Sequence, residues 1–176
     1  MDIGAGKGST AAALAVNFGV VLATEIYWML AGATTGRGFL TDRSKLFRED
    51  GSSFNNIVSI HIDASHPHSF GIFAVQNISA CVIDAQHDFA HIGRETFAVL
   101  RQIPCCVETI VYHDYCDVDV FNAVQYFVSA GILAFRTSIG MRNWVAPWCR
   151  DGRPEGAAMR VLRHTDKFHE RLETLY

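Results

Sequence analysis

Short apolar runs that each end on an acidic residue constrain this chain more than any other feature. Val20-Val21-Leu22-Ala23-Thr24 ends at Glu25, and Ile57-Val58-Ser59-Ile60-His61-Ile62 ends at Asp63. Ser79-Ala80-Cys81-Val82-Ile83 ends at Asp84, and Glu108-Thr109-Ile110-Val111-Tyr112-His113 ends at Asp114. Runs of this length, rich in β-branched residues, predict strands. Strands alternating with helical stretches predict an α/β fold, a mostly parallel, doubly wound sheet with helices on both faces. In such a sheet the C-terminal strand ends share one edge, and ligands bind there. A surface carboxylate has no reason to fall at that edge four times.

The stretches between the runs fit the same plan. Met1-Asp2-Ile3 is a short first strand leading into Gly4-Ala5-Gly6-Lys7-Gly8, and Ser9 or Thr10 caps a helix through Phe18. Residues 32–56 read as a long loop with one helical turn. A helix runs from about Ala90 until Pro104 stops it. Val120, Phe121, Val124, Phe127 and Val128 have helical spacing, and Gly131 is placed to end that helix. Ile132–Thr137 is a further strand, residues 140–158 read as irregular, and Thr165–Leu175 as a terminal helix. One domain over residues 1–176 is expected, with 1–140 as the motif-bearing core and 141–176 closing it.

Composition removes several alternatives. Hydrophobic residues make up 49% of the 176, so enough apolar surface exists to offset the entropy of ordering. Fifteen basic against eighteen acidic residues leave −3, which calls for neither nucleic acid nor an anionic membrane. Residues 11–33 are long enough to span a bilayer, but Glu25 stands near their middle and Gly19 divides them. A buried helix followed by a buried strand is the expectation, with no membrane. None of the five cysteines forms a C-x-x-C pair, so reduced thiols in a cytoplasmic protein are expected. The three-residue first strand predicts marginal stability, or a second copy covering the exposed face as a homo-oligomer.

The glycine loop admits two readings. Glycines at a strand-to-helix turn let a backbone pass close to a ligand. Gly6-Lys7 also fits a nucleotide-kinase phosphate loop, although that pattern needs glycine where Met1 stands and Ser or Thr where Gly8 stands. A glycine-rich helix entry without a ligand is the plain alternative.

Asp2-Ile3-Gly4-Ala5-Gly6-Lys7-Gly8-Ser9-Thr10 resembles the first motif of class I S-adenosylmethionine-dependent methyltransferases. Cys81-Val82-Ile83-Asp84-Ala85-Gln86-His87-Asp88 resembles a strand of the macrocin O-methyltransferase-like (methyltransferase-24-like) branch. Ile110-Val111-Tyr112-His113-Asp114-Tyr115 resembles its following one, with Asn122-Ala123-Val124 after it. The resemblance covers roughly residues 1–140, and it departs from the family at Met1, where preceding helices are absent, and at Pro104-Cys105-Cys106, where the family has Pro-Gly-Gly. It implies a Rossmann-like fold, an N-terminally shortened family member, and methyl transfer from S-adenosylmethionine to a small molecule, with oxygen as the expected acceptor.

The resemblance also assigns roles. Asp2, Gly4, Gly6 and Gly8 border the methionine and ribose portion, Glu25 accepts from the ribose hydroxyls, and Asp63, Ala64 and Ser65 lie beside the adenine. Asp84 faces the reacting end, and Asp84 with Asp114 matches the acidic ligands of metal-dependent catechol-type O-methyltransferases, which implies Mg²⁺. His87 and His113 follow the same strand ends, as general base or metal ligand, or simply as partners of the neighbouring carboxylates. Two other functions stand beside methyl transfer: a cofactor-binding member without turnover, and a phosphate-loop nucleotide kinase.

Overall fold

In a computed structural model the chain forms two compact units, residues Met1–Ala64 and Ser65–Tyr176. The structure describes residues 1–5, 9–25, 54–64, 66, 68–73, 77–103, 107–140, 149, 152–163 and 167–175. Gly6, Lys7, Gly8 and Ser65, most of the 32–56 loop, and Pro104-Cys105-Cys106 lie outside the described residues.

The first unit contains β1 (Asp2–Ile3), α1 (Ser9–Ala15), β2 (Val21–Glu25) and β3 (Ile57–His61). β2 pairs in parallel with β1 on one side and β3 on the other. Alanines make close packing possible: Ala5, Ala11, Ala15, Val21 and Ala23 form one buried cluster, with Leu14, Phe54 and Ile57 against it. α1 ends at Ala15, three residues before the expected Phe18. The Asn56 side-chain amide donates to Ala15 O at 2.9 Å and Phe18 O at 2.8 Å, satisfying carbonyls that a longer helix would have used. The apolar stretch from residue 11 is thus broken into α1 and β2. No helix among the described residues is long and apolar enough to cross a membrane.

The second unit contains β4 (Ala80–Ile83), α2 (Phe89–Gln102), β5 (Thr109–Tyr112), α3 (Val118–Ser129), β6 (Leu133–Ile139), β7 (Gly156–Val161) and α4 (Phe168–Thr174). A 3-10 turn, Ser69–Phe73, precedes β4 and buries Phe70 and Phe73. β4 and β5 are parallel, while β7 is antiparallel to both β5 and β6. With seven strands among the described residues, mostly parallel and alternating with helices, the class is the α/β, Rossmann-like one expected.

The ends of α2 and the ends of α3 have local causes. Asp88 caps α2 by accepting from the His91 N–H at 3.0 Å, and Asp117 caps α3 by accepting from the Asp119 N–H at 2.8 Å. Gly131, at φ 69°, closes α3: its N–H donates to Val128 O, and the next N–H, of Ile132, donates to Phe127 O. The C-terminal end of α2 is held by Arg163, whose guanidinium donates to Leu100 O at 3.2 Å, Ile103 O at 3.0 Å and Val107 O at 3.3 Å.

Two expectations are corrected. Residues 140–158 are not wholly irregular, because β7 begins at Gly156. Its Gly-Ala-Ala start gives no β-branched signal, yet a Cβ on Gly156 would stand 3.3 Å from Ile139 Cβ and Tyr112 O. At this one position a side chain would press on both neighbouring strands. The thiols are not all reduced either: Cys116 and Cys149, 33 residues apart, form a disulfide. Cys81 is the free cysteine among the described residues, buried so completely that its thiol is pushed up to about 11.

Candidate functional site

In the first unit β1, β2 and β3 are adjacent and parallel, so their C-terminal ends share an edge. Gly4 follows β1 with φ 76°, a left-handed conformation that glycine adopts without penalty. The Gly4 and Ala5 N–H groups both donate to Thr24 O at 3.0 Å, and the Thr24 hydroxyl donates to Asp2 O at 3.2 Å. The turn is therefore pinned to β2. Glu25 is the last residue of β2, and Asp63 and Ala64 follow β3. Asp2 is fully buried within β1. The side chain of Glu25 lies outside the description, so only its backbone position is placed.

The second unit brings five titratable side chains together. Asp84 and His87 come from the loop after β4, His113 and Asp114 from the end of β5, and Glu155 from the residue before β7. His113 Nδ1 lies 3.0 Å from Asp114 Oδ2 and 3.2 Å from Asp84 Oδ1. His87 Nε2 lies 3.3 Å from Asp114 Oδ2 and 3.7 Å from Asp84 Oδ1. Glu155 Oε1 stands 3.9 Å from His113 Nε2. His87 Nε2 and His113 Nδ1 are buried atoms that approach these oxygens without hydrogen-bond alignment.

The backbone fixes this arrangement. The His113 N–H donates to Ile83 O at 3.1 Å, tying the end of β5 to the end of β4. Asp114 has φ 48°, a left-handed conformation that aspartate tolerates better than most side chains. The Asp117 N–H donates to Asp114 O at 2.7 Å, and the Tyr115 N–H donates to Glu155 O at 2.7 Å. The second of these bonds brings Glu155 to the cluster. The Cys116–Cys149 disulfide sits two residues beyond Asp114.

Charge is distributed accordingly. The approach of Asp114, and then of Asp84, raises the His113 pKa to about 10 against the opposing effect of burial. His87 is also raised, first by Asp84, with Asp114 adding to it. Burial opposes ionisation of Asp84, but His113 and His87 outweigh it and its pKa falls below the usual value. Asp114 is lowered chiefly by His113. Two overlapping donor groups, Asp84–His87–Asp114 and His113–Asp114–Glu155, each hold their ligand atoms within 4.8 Å of one another. Carboxylate oxygens with one imidazole nitrogen in each group suit a divalent cation, and the imidazoles favour a softer ion than Mg²⁺.

Of the residues picked out by sequence, Asp84, His87, His113 and Asp114 thus converge. Gly4, Glu25, Asp63 and Ala64 share the other described edge, and Gly6, Gly8 and Ser65 lie outside the description. Glu155 is the member that sequence reasoning misses, because nothing marks β7 in advance.

Comparison with known proteins bears on the fold. No family model matches the sequence, and no curated protein matches it. Solved structures do resemble it. Apo CalS11, a TDP-rhamnose 3′-O-methyltransferase of calicheamicin biosynthesis, superposes with a TM-score of 0.57 at 14% identity, over 91% of this chain and 70% of that one. The two chains share an α/β, Rossmann-like fold. Fibrillarin, in its complex with Nop5p, gives 0.53 at 16% identity over 91% and 69% of the two chains. A SAM-dependent methyltransferase from Anabaena variabilis gives 0.51 at 10% identity over 91% and 75%. At these identities the likeness is one of fold.

Proposed function

We propose that this chain binds S-adenosylmethionine and transfers its methyl group to an oxygen of a small molecule. The observation that carries the reading is the cluster of Asp84, His87, His113, Asp114 and Glu155 at the ends of β4, β5 and β7 in a methyltransferase-like fold. The first unit supports it with residues that fit a nucleoside: a glycine turn after β1 and acidic residues at the ends of β2 and β3.

Methyl transfer from a sulfonium is an in-line displacement, so the protein aligns two reactants and handles one proton. The cluster supplies both needs. Asp84, Asp114 and Glu155 form a polar floor on which an acceptor hydroxyl can donate. His87 or His113 is the base that removes its proton. His113 in its raised state already carries a proton at neutral pH, so its turn as base requires the carboxylates around it to be neutralised. A divalent cation held by Asp84 and Asp114 would supply that neutralisation and two positions for acceptor oxygens. The charged state of His113 is also what favours the second reading, a cofactor-binding protein without turnover.

Calorimetry with adenosylhomocysteine on the native chain and on Glu25→Ala tests the binding half. Loss of an acceptor for two ribose hydroxyls costs on the order of 1–3 kcal/mol, so affinity falls clearly if Glu25 belongs to the site. Incubation with S-adenosylmethionine and a panel of catechols, sugars and hydroxy acids, before and after chelation, tests turnover. Binding with no methylated product under any condition selects the second reading.

A further inference from the structure

A cavity of about 360 Å³ opens on the second unit, lined by Phe89, Gly93 and Arg94 of α2, Tyr126 and Phe127 of α3, and Leu175 after α4. None of the five clustered titratable side chains lines it, and nothing in the proposed methyl transfer uses it.

Three features set it apart from an ordinary gap between helices. The walls are aromatic, with the Phe89 and Tyr126 rings edge to face at 6.2 Å between centroids. Gly93 is a helix-interior glycine that packing does not demand, since a Cβ there would meet nothing within 4 Å. Glycine at such a place weakens a helix relative to alanine, and here its effect is to leave the floor of the cavity open. Arg94 is half-buried at the same wall, and among the described residues no carboxylate pairs with it. A guanidinium in that setting is a preformed partner for a planar anion.

We propose that this groove binds a small aromatic carboxylate, its ring lying against the aromatic wall that Phe89 and Tyr126 form and its carboxylate on Arg94. The volume lies at the lower end of the range for small-molecule pockets, about 300–1,000 Å³, which suits one or two fused rings better than a polypeptide segment. The positive charge selects an acid over its neutral analogue, and the aromatic walls select a ring over a sugar.

The probe pair is 1-naphthaleneacetate and its neutral counterpart 1-naphthaleneacetamide, titrated into the full chain by calorimetry. The acid binds tighter than the amide by about tenfold or more, as a charge-assisted contact requires. Arg94→Gln abolishes that preference while leaving the amide affinity as it was. Gly93→Leu fills the floor and weakens both probes by about tenfold without lowering the thermal midpoint, because a better helix former replaces a glycine whose added Cβ meets nothing within 4 Å. Equal affinity of acid and amide for the native chain overturns the proposal, as does failure of either to bind. Undiminished acid binding in Arg94→Gln, or in a folded Gly93→Leu, overturns it as well. Self-association that Gly93→Leu abolishes, with no acid binding, assigns the groove to a second copy instead and overturns it too.

Discussion

His113 Nδ1 rests 3.0 Å from the carboxylate of its own chain neighbour, Asp114, which makes this contact from a left-handed backbone at φ 48°. Adjacent side chains on an extended strand point to opposite faces. The turn that ends β5 at this point is what lets two consecutive residues serve one cluster.

Asp114→Asn tests that relationship with little backbone disturbance, since asparagine also tolerates the left-handed region. Removing the carboxylate whose close side-chain approach raises His113 most lets its pKa fall from about 10 toward the ordinary 6.5. NMR titration of the His113 ring reads this directly. A His113 midpoint unchanged by the substitution would show that Asp114 does not set it.

Stability follows pH with opposite signs at the two ends. His113 is raised in the folded state, so its contribution is complete below the unfolded value of 6.5 and is lost as pH rises to about 10. Asp84 and Asp114 are lowered, so theirs is present above the ordinary 3.8 and is lost as pH falls through their depressed folded values. Thermal midpoints therefore decline between pH 6.5 and 10 in a way that His113→Gln flattens. A variant with the same alkaline slope as the native chain would remove His113 from the linkage.

Reduction of Cys116–Cys149 reopens a loop of 33 residues. Chain-entropy arguments put the stabilisation from a loop of this size at about 3–4 kcal/mol. Urea unfolding of the native chain with and without dithiothreitol, beside the Cys116→Ala, Cys149→Ala double variant, measures it. Midpoints that coincide in all three would mean that the bond contributes nothing to folding.

Arg163 donates to three carbonyls at and just beyond the end of α2, and its guanidinium also lies 5.3 Å from the Phe168 ring centre. Arg163→Met leaves those acceptors without this donor and costs about 2–3 kcal/mol. Arg163→Lys recovers only part, because one ammonium cannot reproduce the fork. Chemical denaturation checks both, and a methionine variant as stable as the native chain would make the contacts incidental.

The strands with parallel partners were readable because Val, Ile and Thr concentrate there, as in Val21–Glu25 and Thr109–Tyr112. Gly131 was readable because the end of a helix needs a residue that tolerates positive φ. Gly156–Val161 was not, since its first residues are chosen for smallness between two neighbours rather than for β propensity. Glu155 was lost with it, being placed by the β7 entry alone. Four of the five clustered side chains were legible because each follows a recognisable strand; their mutual distances were not, because those depend on the turn at Asp114. The disulfide escaped for another reason. Cysteine pairing is a matter of spatial approach, and no spacing rule joins Cys116 to Cys149.

The antiparallel placement of β7 between β5 and β6 has a consequence for how the chain is made. A ribosome releases Leu133–Ile139 before Gly156–Val161, yet among the described strands the earlier segment pairs only with the later one. Through that interval the nascent chain carries two unpartnered strand edges at once, β5 and β6, with Phe135 and Ile139 exposed on the second even in the finished fold. β7, made later than both, closes the two edges together. A molecule in which β6 has left the ribosome and β7 has not therefore carries both edges open to other chains.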